Sequence, residues 1–151
     1  MRQTQLKGAT FPLLSVVVLA AATLCLAPPS YAADVNVTIQ GLRNEEGVVR
    51  VAVCRESQFT RGTCRHTVSA PAAAGSVTVE DIPPGTYAVQ AYHDENENGE
   101  LDRRSLRRPL EGLGFSRDAP MRFGPPRFWD AAVQIPETGG ALSLTMRYFD
   151  E

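Results

Sequence analysis

Along most of this chain apolar and polar residues alternate one for one, the period of a β-strand with a single buried face. Val35, Val37 and Ile39 alternate with Asn36, Thr38 and Gln40, and Val49, Val51 and Val53 with Arg50, Ala52 and Cys54. Val77 and Val79 follow, then Tyr87, Val89 and Ala91 against Thr86, Ala88 and Gln90. Ala131, Val133 and Ile135 make another set, and Leu142, Leu144, Met146 and Tyr148 the last; Arg65–Ser69 is a fainter candidate. Turn-forming groups separate the runs: Asn44-Glu45-Glu46-Gly47, Pro83-Pro84-Gly85, Asn98-Gly99 and Thr138-Gly139-Gly140.

Short strands that are apolar on one side bury those sides most economically against one another. The pattern therefore predicts an all-β fold, a single six- to seven-stranded β-sandwich, immunoglobulin-like or transthyretin-like in strand arrangement. No window of the alternating region repeats at the helical period. One stretch, at about 94–128, breaks the alternation and is expected to be a long charged loop, a length that points to function.

The N-terminus follows a different rule. Arg2 and Lys7 precede Phe11–Ala27, apolar except for Pro12, Ser15 and Thr23, and Pro28-Pro29 and Ser30-Tyr31-Ala32 follow. This is the layout of a secretory signal peptide cleaved after Ala32, which leaves 33–151 as one β-sandwich domain, periplasmic or secreted. Seventeen residues is the lower edge of a membrane span, and the small residues at the cleavage site favour removal, so no integral membrane anchor is expected afterwards. Leu24 before Cys25 is too bulky for a lipid-attachment signal.

Cleavage changes the charge balance. The loss of Arg2 and Lys7 takes fifteen basic residues to thirteen against seventeen acids, so the net charge moves from -2 to -4. Export and this acidic balance disfavour nucleic acid as a partner. Cys54 and Cys64, carried into an oxidising compartment, are expected to form one disulfide, which would stabilise the domain by roughly 2–3 kcal/mol.

The strongest chemical signal is His93-Asp94-Glu95-Asn96-Glu97-Asn98-Gly99-Glu100-Leu101-Asp102. Asp94, Asn96, Asn98 and Gly99 occupy positions 1, 3, 5 and 6 of a calcium loop, where alternate oxygen side chains face the ion and glycine permits the turn. Glu100 would offer its backbone carbonyl and Asp102 a carboxylate. Ser105 stands where an EF-hand has its bidentate Glu, so a further ligand would come from elsewhere, Glu111 or Asp130 being the candidates. With two local ligand carboxylates the expected affinity is weak, on the order of 10⁻⁴–10⁻³ M, and magnesium suits such a cage less well. The plainer alternative is a hairpin turned at Asn98-Gly99 with solvated acids around it.

Residues 94–102 carry five acids and no base, whereas 103–127 carry seven arginines against Glu111 and Asp118. Arg103, Arg104, Arg107 and Arg108 are a candidate anion-binding group for an envelope polysaccharide, an anionic lipid or a protein partner; the alternative is that they pair with the acidic loop and with solvent. The run Phe123-Gly124-Pro125-Pro126-Arg127-Phe128-Trp129 is expected to anchor the loop through its rings, an aromatic platform for sugar being the alternative.

Catalytic signatures are sparse. No Gly-x-Ser-x-Gly elbow, Walker loop or dinucleotide fingerprint occurs, and His66 and His93 are too few for a zinc site. His93 continues the inward face of its strand, a core-edge position. The expectation is a non-enzymatic binding or accessory module; the alternative is a polysaccharide hydrolase using loop carboxylates.

Several segments together resemble an uncharacterised family of bacterial exported proteins, domain of unknown function twenty-one forty-one. They are Gly41-Leu42-Arg43-Asn44, Gly47–Val53, Ile82–Val89, His93–Asp102, Glu111–Ser116 and Phe123–Phe128 with Asp130-Ala131-Ala132. The resemblance implies export, a β-sandwich and an asparagine-rich loop carried here by Asp94, Asn96, Asn98 and Asp102, and it brings no activity with it. Arg103–Arg108 is more basic than the family pattern.

Overall fold

The computed structural model describes residues 32–104 and 108–149. The expected signal peptide therefore lies outside the described residues apart from Ala32, as does Arg107. The alternating runs become strands: β1 (Ala33–Gln40), β2 (Val48–Cys54), β3 (His66–Pro71), β4 (Ser76–Ile82), β5 (Gly85–Asp94), β6 (Leu113–Phe115), β7 (Ala132–Ile135) and β8 (Gly140–Thr145). One turn of helix, α1 (Phe128–Ala131), precedes β7. No helix among the described residues is long and apolar enough to cross a membrane.

Two sheets face one another. In the first, β1 lies between β4, antiparallel, and β8, parallel. In the second the order is β3-β2-β5-β6. The ten residues of β5 are long enough to serve two neighbours on one edge: β7 pairs with Gly85–Ala88 and β6 with Gln90–Tyr92. The β-sandwich expected from the alternation is thus formed, with eight strands among the described residues in place of six or seven.

The inward positions are those the alternation marked. Val35, Val37, Val49, Val51, Val53, Val89 and Leu144 are at most 1% exposed and share one core with Tyr87, Ile82 and Ile135. Each such side chain contributes roughly 1.5–3 kcal/mol through burial. Tyr87 is fully buried because its hydroxyl is satisfied: it donates to the Pro83 carbonyl at 2.8 Å and accepts from Arg55 Nη2 at 2.9 Å.

A second, smaller core was not expected. It lies on the outward side of the larger sheet, where Phe115 and Phe128 each meet Phe59 edge to face, with centroids 5.8 and 5.9 Å apart, beside Cys54, Ala88 and Ala131. Of the aromatic run, Phe128 is therefore the anchor. The expectation fails for Phe123, which is fully exposed ahead of α1, and for Trp129, which is exposed because α1 turns Phe128 and not Trp129 inward.

The stretch 94–128 is likewise not a single loop. It contains β6, whose three residues are too few to show alternation. Gly114 at its centre is packed so closely that a Cβ there would lie 2.6 Å from Leu144 Cδ1.

Cys54 and Cys64 are disulfide-bonded, with Cα atoms 4.9 Å apart, closing the turn between β2 and β3 next to the second core. Replacing both by Ala is expected to lower unfolding stability by about 2–3 kcal/mol. A urea unfolding midpoint unchanged from the parent protein would show that the bridge is not holding this turn.

Candidate functional site

Asp94 is the last residue of β5 and the first of the acidic loop, and its side chain is fully buried. Cross-strand register places it opposite Val48, diagonal to Arg50, which itself faces Tyr92. Arg50 Nε donates to Asp94 Oδ2 at 2.6 Å. The loop then turns back over the same carboxylate: the Gly99 amide donates to Oδ2 at 2.9 Å and the Asn98 amide to Oδ1 at 3.0 Å. Burial opposes ionisation of Asp94, but Arg50 and these two amides outweigh it and hold the pKa below the usual aspartate value. A carboxylate offers about four lone-pair positions, so one remains.

Beyond this root the loop is tied by its own side chains. Asn96 Oδ1 accepts from the Asn98 amide and Asn98 Oδ1 from the Glu100 amide, two successive Asx turns. The Nδ2 groups of Asn96 and Asn98 both donate to Asp102 Oδ2, at 2.8 and 3.1 Å. Tyr92 donates its hydroxyl to the Gly99 carbonyl at 2.9 Å.

The arginine stretch then folds back as a small hairpin. Arg103 and Pro109 form a β-bridge, Leu110 N donates to Asp102 O at 2.9 Å, and Arg104 N to Arg108 O at 2.8 Å. This return carries Glu111 to Asp102, whose amide donates to Glu111 Oε2 at 3.1 Å. Glu111 is 4% exposed, and its other oxygen, Oε1, has no hydrogen-bond partner. Burial, then the charges of Asp94 and Asp102, push its pKa above the ordinary glutamate value against the opposing pull of the Asp102 and Glu95 backbone amides.

Neighbouring positions complete the frame. Glu95 forms a bidentate pair with Arg43, at 2.6 and 2.9 Å, and Arg43 also lies over the Tyr148 ring, 4.6 Å from its centroid. His93 is fully buried on the inward face, with Nδ1 2.8 Å from the Tyr148 hydroxyl and Nε2 2.7 Å from the Glu46 carbonyl. Gly47 adopts φ +67°, and a Cβ there would lie 2.2 Å from the Asp94 carbonyl oxygen, so the turn before β2 and the loop root are in direct contact.

The structure therefore brings together Asp94, Asn96, Asn98 and Asp102, with the Glu100 amide in the second Asx turn and the Glu100 side chain exposed. Of the two further candidates, Glu111 joins this group, whereas Asp130 accepts from the Arg127 amide at the start of α1. The arginines that hold Asp94 and Glu95 are Arg50 and Arg43, not the downstream stretch. Arg103, Arg104 and Arg108 are exposed. Among the described residues no group of three or more His, Cys, Asp or Glu side chains is arranged to hold a metal ion. Two of the loop's carboxylates are instead occupied by Arg50, by backbone amides and by the two asparagines.

Sandwich and loop together define a β-sandwich built around a folded, oxygen-rich connection. The chain belongs to the family described as an uncharacterized protein conserved in bacteria, DUF2141, which it matches over residues 37–142. Neither the curated proteins nor the solved structures yielded a match.

Asp94→Ala is expected to destabilise the protein by about 3 kcal/mol, the low end for breaking a buried pair from one side, because Arg50 keeps 34% of its side chain in water. Hydrogen exchange at the Asn98 and Gly99 amides should accelerate in the same variant. Unchanged protection there would show that Asp94 does not organise the loop.

Proposed function

We propose that the protein is an exported, non-enzymatic β-sandwich that serves as a binding or accessory module of the cell envelope, with the 94–111 loop taking a weakly held calcium ion. One observation carries the metal reading: Glu111 is buried beside Asp102 with Oε1 unpartnered, in a position to supply the carboxylate that Ser105 does not. A buried oxygen of this kind calls for a proton, a water or a cation. The remaining donors would be Asp102, the last lone-pair position of Asp94, the side-chain carbonyls of Asn96 and Asn98 and the backbone carbonyl of Glu100. All are oxygens, the donor set of a hard cation. Binding would displace the two amide-to-carboxylate bonds on Asp102, which keeps the affinity low.

Export is supported by the apolar segment Phe11–Ala27 followed by small residues at 30–32, and by the disulfide, a bond of oxidising compartments. Of the loop carboxylates a hydrolase would use, Glu111 is too buried to reach a glycosidic bond and Glu95 is paired with Arg43, which favours a binding role. His93 has both ring nitrogens engaged, which leaves no site for proton transfer to a substrate.

Calcium at 10 mM is expected to stabilise the protein by about 1–3 kcal/mol, several degrees in Tm, with magnesium at the same concentration doing much less. Glu111→Gln should retain the metal-free Tm and lose the calcium increment. A wild-type melt indifferent to calcium, or an increment that survives in Glu111→Gln, would refute the assignment.

A further inference from the structure

The outward face of the larger sheet carries a groove of about 1340 Å³. Its floor is formed by β2 and β5 through Arg50, Ala52, Gln90 and Tyr92, and by Thr67 and Ser69 of β3. Two stretches of the long connection complete it, the arginine hairpin at Arg103, Arg108 and Pro109 and the segment Met121–Pro125. The groove adjoins the acidic loop through Arg50 but does not include Glu111, and it was not expected, because outward residues of one sheet and two distant stretches of the connection meet there only in the folded chain.

Three properties restrict what it accommodates. Arg50, Arg103, Arg108 and Arg122 line it and, among the described residues, no Asp or Glu does, although the domain as a whole is acidic. Arg50 is committed to Asp94, and the exposed guanidinium groups of Arg108 and Arg122 select an anion, their planar forks matching carboxylates. The volume exceeds the roughly 300–1,000 Å³ typical of small-molecule pockets, which favours a segment of a polymer. The floor strands β2 and β5 each have sheet neighbours on both sides, so over most of the floor the backbone groups are committed to ladders and only the margin at β3, the edge strand, offers a peptide an edge to extend.

Recognition falls to side chains: hydroxyl and amide groups at Thr67, Ser69 and Gln90, and the rings of Tyr92 and the fully exposed Phe123. Planar polar groups beside open aromatic rings are suited to sugar hydroxyls and sugar faces. A bilayer is a less suitable partner, since Arg50 is set in the groove floor, bonded to Asp94 and to Ser69 Oγ at 3.2 Å, where lipid phosphates in a plane do not reach. We infer that this groove binds a stretch of acidic polysaccharide, its uronate carboxylates on Arg108 and Arg122 and a sugar face on Phe123.

The test uses the full-sequence protein with chelator present throughout, so that its outcome is independent of the calcium reading. A hyaluronate decasaccharide, with a glucuronate at every second sugar, is titrated by calorimetry beside maltohexaose, poly-glutamate and phosphatidylglycerol vesicles. Hyaluronate alone is expected to bind, with an affinity that falls as salt rises. The pair Arg108→Gln and Arg122→Gln should weaken it at least tenfold and Phe123→Ala at least threefold. These residues are exposed, and their replacement should leave the urea midpoint in place. Absence of hyaluronate binding would overturn the proposal. So would equal binding of poly-glutamate or vesicles, or indifference to Phe123→Ala, since each would reduce the groove to a charged patch.

Discussion

A carboxylate with no access to water sits where the sandwich ends and its long connection begins. Asp94 can be ionised there only because Arg50 and the amides of Asn98 and Gly99 supply what solvent would have supplied. The three donors come from two places, a neighbouring strand and the loop itself. Satisfying this one charge therefore requires the loop to fold back onto the sheet. Everything downstream inherits that geometry: the Asx turns at Asn96 and Asn98, the closure onto Asp102, and the return hairpin that delivers Glu111.

The residue before Asp94 faces the other way. His93 points into the sandwich and joins the turn before β2, through Glu46, to the C-terminal Tyr148. Two adjacent residues thus fasten the end of β5 on both faces of one sheet. The outward fastening matters for binding, because Arg50 is at once the partner of Asp94 and part of the groove floor. The acidic loop and the groove share that residue, so a change in the loop has a direct physical route to the groove.

The segregation of charge along the chain has a different meaning in space than in sequence. The acids at 94–102 and the arginines at 103–108 are neighbours in the chain, yet Asp94 and Glu95 are paired by Arg50 and Arg43. Arg104 instead pairs with Arg108 through the backbone, and Arg103 and Arg108 contribute to a groove with no acid among its described lining residues. Fold class and most strands were legible because alternation reports directly which face a residue presents. The grouping of Asp94, Asn96, Asn98 and Asp102 was legible too, since they lie close together in the chain, but the Asx turns and amide-to-carboxylate bonds among them were not. Glu111 stood only as one of two candidates, because choosing it over Asp130 depends on how the hairpin returns.

The amino-acid sequence alone determined the alternating strands, the turn positions, the pairing of Cys54 with Cys64 and the oxygen-rich character of the loop. These are consequences of local periodicity and residue chemistry, which act over a few positions. The tertiary structure decided the rest: which arginine meets which acid, the second aromatic core around Phe59, the short strand β6, and the groove. Each of these depends on strand register and on chain return, and the residues involved are far apart in sequence. Arg50 and Asp94, 44 residues apart, touch only because β2 and β5 are paired in one particular register. A shift of one residue would turn one of them to the other face of the sheet.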